Sequence, residues 1–130
     1  MNIVLDTNVL VSAFWSSDSK PAAIVNGVIS RRFSICYDYR ILDEYYDVLK
    51  RPKFGFDESE IQVILSFISK NGISVIADPL PDVPFIDESD KKFYEVAKYC
   101  HAPLITGNKK HYPHENNIIS VADFFNEYFN

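Results

Sequence analysis

Cysteine is nearly absent: the 130 residues contain only Cys36 and Cys100. They lie far apart and match no metal-ligand or redox spacing, which excludes a disulfide framework or a zinc module as the organising device. Two buried, reduced thiols are expected; a lone bridge would require an oxidising compartment. The histidines, His101, His111 and His114, stand without ligand-like neighbours. No segment approaches the ~20 apolar residues of a membrane helix. The first apolar run, Ile3-Val4-Leu5, stops at Asp6 and lacks a basic leader, so a secretory signal is not read and a soluble cytoplasmic protein is expected. Low-complexity tracts, internal repeats and long linkers are missing too. Basic charge is short: 13 Lys and Arg against 18 Asp and Glu, a formal charge of -5. That excludes a general nucleic-acid coat protein. It leaves room for a nuclease, because a metal ion can carry positive charge to a phosphate.

What is present is an ordinary globular mixture, 47% hydrophobic and 15% aromatic, enough for one domain over residues 1–130 with its own core. Short apolar runs read as strands at Asn2 to Leu5, Phe33 to Tyr37, Ile73 to Ala77, Pro103 to Ile105 and Asn117 to Ile119. Helical spacing falls between them: Thr7 to Trp15, Pro21 to Ser30, Asp38 to Lys50, Ile61 to Lys70, Glu88 to Tyr99 and Val121 to Tyr128. Asp57 with Glu60 forms a capping-box pattern, and Asn71-Gly72 reads as a helix stop. Three prolines make Asp78 to Pro84 a loop. Strands that are apolar without alternation, separated by helices, specify an α/β fold with a mostly parallel sheet covered on both faces. In such sheets ligands collect at the carboxyl ends of the strands.

Acids occupy those ends. Asp6 follows the first strand directly; it reads either as a helix cap or as a site carboxylate. Glu44 falls within the apolar face made by Ile41, Tyr45 and Val48, where a carboxylate is costly unless paired or bound to a cation. Its alternatives are an edge position reaching water, or pairing with Arg40 or Lys50. Asp87 and Asp90 open the helix carrying Phe93, Val96, Ala97 and Cys100, and capping or a dipole contact would explain them equally. Leu104-Ile105-Thr106-Gly107-Asn108 ends a strand in a hydroxyl, a glycine and an amide, which would place Thr106 or Asn108 beside the acids as donor or water-mediated ligand. Asp6, Glu44 and Asp90 then converge on one sheet edge. Oxygen donors without thiol or imidazole suit Mg²⁺ or Mn²⁺. The chemistry this implies is metal-assisted phosphodiester hydrolysis.

The run Met1-Asn-Ile-Val-Leu-Asp6-Thr7-Asn8-Val-Leu-Val-Ser12-Ala resembles the opening of a PIN domain. Asp90-Lys-Lys-Phe93-Tyr-Glu-Val-Ala97, then Leu104-Ile-Thr106-Gly107-Asn108, resembles its closing half. The resemblance covers nearly the whole chain and is nearest to the VapC-like toxins of toxin–antitoxin pairs. It implies a three-layer α/β/α, Rossmann-like PIN domain. It further implies an Mg²⁺- or Mn²⁺-dependent endoribonuclease, a hydrolase, forming a homodimer and held by a small antitoxin. By carry-over, Asp6, Glu44 and Asp90 are the catalytic, metal-binding acids, with Asn8 and Thr106 as supporting polar residues. Asn108 departs from the family, which often has aspartate there; this leaves the number of metals open and makes Asp87 a further candidate ligand. Lys91, Lys92, Lys109 and Lys110 flank the site and are either RNA contacts or solvated lysines. Phe14 and Trp15 belong to the core or to a partner surface. Two other readings remain: a catalytically weak PIN-fold module that binds RNA or protein, and an acidic receiver or phosphohydrolase, for which the residue set is incomplete.

Overall fold

In the computed structural model, residues 1–129 are described. Five strands form one sheet: β1 (Asn2–Leu5), β2 (Ser34–Tyr37), β3 (Ile73–Ser74), β4 (Leu104–Thr106) and β5 (Ile118–Ser120). Their order is β3-β2-β1-β4-β5, and every pairing is parallel. The strands are apolar because both sheet faces are covered: Ile3, Val4, Leu5, Ile35, Cys36, Leu104 and Ile105 are almost wholly buried. Covering them are α1 (Thr7–Trp15), α2 (Lys20–Ile29), α3 (Tyr39–Leu49), α4 (Glu58–Asn71), α5 (Lys91–Cys100) and α6 (Val121–Tyr128). The result is the three-layer α/β/α arrangement with a central parallel sheet that the alternation predicts.

Local chemistry sets the element ends. Ser19, Asp38, Asp57 and Ser120 each accept a backbone N–H as N-caps of α2, α3, α4 and α6. Gly72 ends α4, but not by a left-handed turn: its φ is -81°. A Cβ there would lie 2.5 Å from the Ile68 carbonyl oxygen and 2.6 Å from that of Ile35, so glycine is required for close approach of α4 to β2.

The structure corrects several boundaries. The third strand, expected to reach Ala77, pairs only at Ile73 and Ser74. It is an exposed edge, and the proline-rich segment beyond it (Pro79, Pro81, Pro84) cannot sustain a ladder. The helix expected from Glu88 starts as a 3-10 turn, Glu88–Asp90, before α5. Trp15 is 59% exposed rather than part of the core. Both cysteines are free; Cys36 is buried and Cys100 half-buried, and burial together with the Cys100 thiol pushes Cys36 up to about 12.

Candidate functional site

The chain leaves β1 toward β2 on one side of the sheet and returns as β4 on the other, so the strand order reverses between β1 and β4. A crevice forms at such a switch point, outside the carboxyl ends of the strands. The register pairs Leu5 with Ile105, so the next residues, Asp6 and Thr106, face each other across it. Asp6 is 6% exposed. It occupies the N-cap position of α1 without a side-chain cap bond, so capping does not explain it. Its Oδ2 instead accepts from Thr106 Oγ1 at 2.8 Å and from the Tyr112 hydroxyl at 2.9 Å. Burial pushes the Asp6 carboxyl above its ordinary range; the two hydrogen bonds oppose this and the negative charge of Glu44 adds to it.

Glu44 projects from α3 at the border of the buried stripe, which runs through Ile41, Tyr45 and Leu49 rather than Val48. Neither Arg40 nor Lys50 pairs with it. Lys92 Nζ lies 2.6 Å from its Oε1, and the Thr7 hydroxyl donates to its Oε2. Arg40 is engaged elsewhere, between Asp38 at 2.7 Å and Glu95 at 2.8 Å. Asp90 sits at the junction of the 3-10 turn and α5, half-buried. Burial raises its carboxyl above the usual range; the Asp6 charge adds to that, and a bond from His111 opposes it. Asp87 is exposed and caps the 3-10 turn, and two bonds from Ser89 hold it below the usual carboxylate range. The Tyr112 phenol, raised first by burial, is raised further by the charges of Asp6, Asp90 and Glu44 together.

The polar residues around them form a lattice. Thr106 is fully buried; besides donating to Asp6 it accepts the Asn108 N–H at 2.9 Å. Asn8 Oδ1 accepts the Gly107 N–H at 3.1 Å, tying the start of α1 to the end of β4. Asn108 turns its amide toward His111 Nε2, at 3.1 Å, and not toward the carboxylates. His111 Nδ1 in turn lies 3.2 Å from Asp90 Oδ2. A carboxylate accepts and an amide nitrogen donates, so these contacts fit the tautomer with its proton on Nδ1.

Two of these groups escape a reading of the sequence. His111, read as a histidine without ligand-like neighbours, partners Asp90, and Tyr112 was not singled out. The signal was faint: an imidazole and a phenol follow Thr106-Gly107-Asn108 after a single 3-10 turn, Lys109–His111, which carries them back over the crevice. The flanking lysines separate into two kinds. Lys91 is buried, with its ammonium 5.9 Å above the Phe85 ring, and Lys92 is committed to Glu44, so of the two alternatives the freely solvated lysine fits neither. Lys109 and Lys110 are exposed.

The donor set is hard oxygen, which suits Mg²⁺ or Mn²⁺. Among the described residues no group of three or more His, Cys, Asp or Glu is arranged as a ready metal cage. Mg²⁺ seldom needs one, since it is commonly held by one or two carboxylates with water completing its shell. Asp6, at the end of β1, and Asp90, at the start of α5, are the carboxylates that would hold it.

Among the described residues no helix is long and apolar enough to cross a membrane. The chain is 28% identical over 128 residues to an uncharacterized protein of Methanocaldococcus jannaschii, covering 95% of this chain and 76% of that one. No solved structure matches it. A family model described as PIN domain matches residues 2–110, which span β1 to the turn after β4 and hold every residue of the crevice except His111 and Tyr112. The chain therefore belongs to the PIN domain family.

Proposed function

We propose that this PIN domain is a metal-dependent endoribonuclease that hydrolyses RNA phosphodiester bonds at the β1–β4 crevice, with Asp6, Glu44 and Asp90 as its acids. The observation that supports this reading is the bonding at the sheet's switch point: Asp6 takes Thr106 at 2.8 Å and Tyr112 at 2.9 Å, Thr7 beside it donates to Glu44, and His111 beside Tyr112 meets Asp90 at 3.2 Å. Acids so placed repel one another, and a divalent cation relieves that repulsion. Bound there, Mg²⁺ or Mn²⁺ would lower the pKa of a water and neutralise charge on a phosphoryl group. The chain's own groups keep the donors in position. Thr106 and Tyr112 hold Asp6, His111 orients Asp90, and Thr7 with Lys92 holds Glu44.

The family resemblance extends the proposal to a toxin of a toxin–antitoxin pair, acting as a homodimer in the cytoplasm and held by a small antitoxin. A second reading, a PIN-fold module that binds without cutting, is favoured by one observation: each acid already has a protein partner. End-labelled single-stranded RNA separates the two. Cleavage should require Mg²⁺ or Mn²⁺, stop on chelation, and fall by orders of magnitude in Asp6→Asn with little change in RNA affinity. Equal cleavage by both proteins refutes the site; silence in both, with RNA still bound, selects the binding module.

A further inference from the structure

A groove of about 960 Å³ runs beside α3, and Glu44 and Lys92 both line it. Other lysine pairs lie open to water: the side chains of Lys50, beside Asp47, and Lys98, beside Glu115, are 47% and 43% exposed. Lys92 is 13% exposed, with its ammonium 2.6 Å from Glu44 Oε1. That ammonium also donates to the Ser89 carbonyl and lies 5.2 Å over the Phe93 ring. Glu44 is held from its other side, where the Thr7 hydroxyl donates to Oε2. Each of its oxygens is therefore partnered by the protein. The wider geometry agrees: among the described residues no three His, Cys, Asp or Glu side chains are grouped to hold one ion. Asn108 adds no charge there, and its amide lies 3.1 Å from His111 Nε2.

We propose that Lys92 is a resident cation at the crevice: it keeps Glu44 out of the metal's coordination, so that each chain holds one divalent ion, on Asp6 and Asp90. This deepens the nuclease reading and rests on it for the metal. It departs from the family resemblance, which counts Glu44 among the ligands. Charge favours a single ion. Asp6, Glu44 and Asp90 bring three negative charges, Lys92 cancels one, and one divalent ion matches the two that remain. A further ion on Glu44 would stand against the like charge of the ammonium. Releasing Lys92 to admit it would strip the ammonium of a carboxylate, a carbonyl and a ring in a place with little water to replace them. The pair acts as a unit. Glu44 positions the ammonium, and the ammonium supplies positive charge of the kind that a second ion brings to paired-metal sites.

Mn²⁺ binding tests this directly. The full chain, stripped of metal, is titrated with Mn²⁺ by calorimetry and by the paramagnetic resonance of the free ion. One Mn²⁺ per chain is expected. The decisive variant is the double substitution Glu44→Gln/Lys92→Gln, which removes the pair and leaves the net charge unchanged. It should bind one Mn²⁺ within about threefold of the wild-type affinity, whereas loss of even a ligand's hydrogen-bond partner costs roughly 10–100-fold and loss of a ligand no less. Lys92→Gln alone uncovers the Glu44 charge and should take up a second Mn²⁺ or hold the first about tenfold more tightly. Melting in chelator checks that each variant is folded; should Lys92→Gln fail to fold, the double variant, which leaves no charge unpaired, decides. Two ions on the wild type, a loss of about tenfold or more in the double variant, or a folded Lys92→Gln that binds as the wild type does overturns the resident cation and leaves the metal site standing. A wild type that binds no Mn²⁺ overturns both this inference and the metal-dependent reading. One ion, held equally well by the double variant, keeps the assignment whether or not RNA is cut.

Discussion

Replacing Tyr112 by phenylalanine removes one oxygen and leaves the ring, which is buried and meets Phe85 edge-on at 5.8 Å. What is lost is the 2.9 Å bond to Asp6 Oδ2. A hydrogen bond to a charged group contributes about 1.5–3 kcal/mol, and this carboxylate is too buried for water to replace the donor freely. Unfolding entropy scales to about 0.27 kcal/mol/K for a chain of this length. Tyr112→Phe should therefore melt about 5–11 °C below the wild type in chelator at pH 8. The pH dependence is the sharper test. Burial raises the Asp6 carboxyl above its ordinary value near 3.8. A group raised in this way favours the fold below its ordinary value, and that contribution is lost as pH rises through its folded value. Without Tyr112 the buried charge is less well accommodated and the loss is larger. The gap between the two proteins should open as Asp6 ionises and close again in acid, as read by calorimetry or far-UV melts across pH 3.5–8. A variant as stable as the wild type, or a gap that ignores pH, would refute the coupling of Tyr112 to Asp6.

Asp6→Asn keeps an acceptor for Thr106 and removes the buried charge, so in chelator it should melt above the wild type at pH 7, with the advantage fading toward pH 4; a lower melting point at neutral pH contradicts the reading. Mg²⁺ or Mn²⁺ at a hundred times its dissociation constant adds about 2.7 kcal/mol, roughly a 10 °C rise by the same entropy, and Asp90→Asn should lose most of it. A melting curve indifferent to millimolar Mn²⁺ in metal-free protein counts against the metal. Gly72→Ala forces a methyl against two carbonyl oxygens and should destabilise by about 1–3 kcal/mol in denaturant titrations; no loss would mean that α4 shifts away from β2 freely.

The alternation of apolar strands with amphipathic helices was sufficient to predict the parallel sheet, because a strand buried on both faces has no polar side to display. Asp38 and Asp57 could be read as helix starts for a local reason: each satisfies a backbone N–H only two or three residues away. Edges were harder. Ile73 to Ala77 looks like a strand by composition, yet pairing ends at Ser74, because a ladder needs a neighbour and the prolines behind it remove donors. Gly72 was read correctly as a helix end for the wrong cause. Its smallness answers to the Ile35 carbonyl, nearly forty positions earlier in the chain, and no local pattern encodes that contact.

The crevice divides along the same line. Asp6 and Thr106 are legible because each ends a strand, and parallel pairing must bring strand ends to one edge. The face of Glu44 could be read from helical spacing, but its partner could not. Arg40 and Lys50 are neighbours in sequence, whereas Lys92 arrives from α5 and wins because it comes up beside the carboxylate from across the groove. His111 and Tyr112 were obscured by a short turn, since a 3-10 turn of three residues carries no periodicity by which to assign a face. Yet both act on the acids against the rise that burial imposes: one is bonded to Asp90, the other to Asp6. A carboxylate's type and approximate position follow from the strands. Its protonation follows from its burial first and then from the donors brought to it, and both are fixed only by tertiary structure.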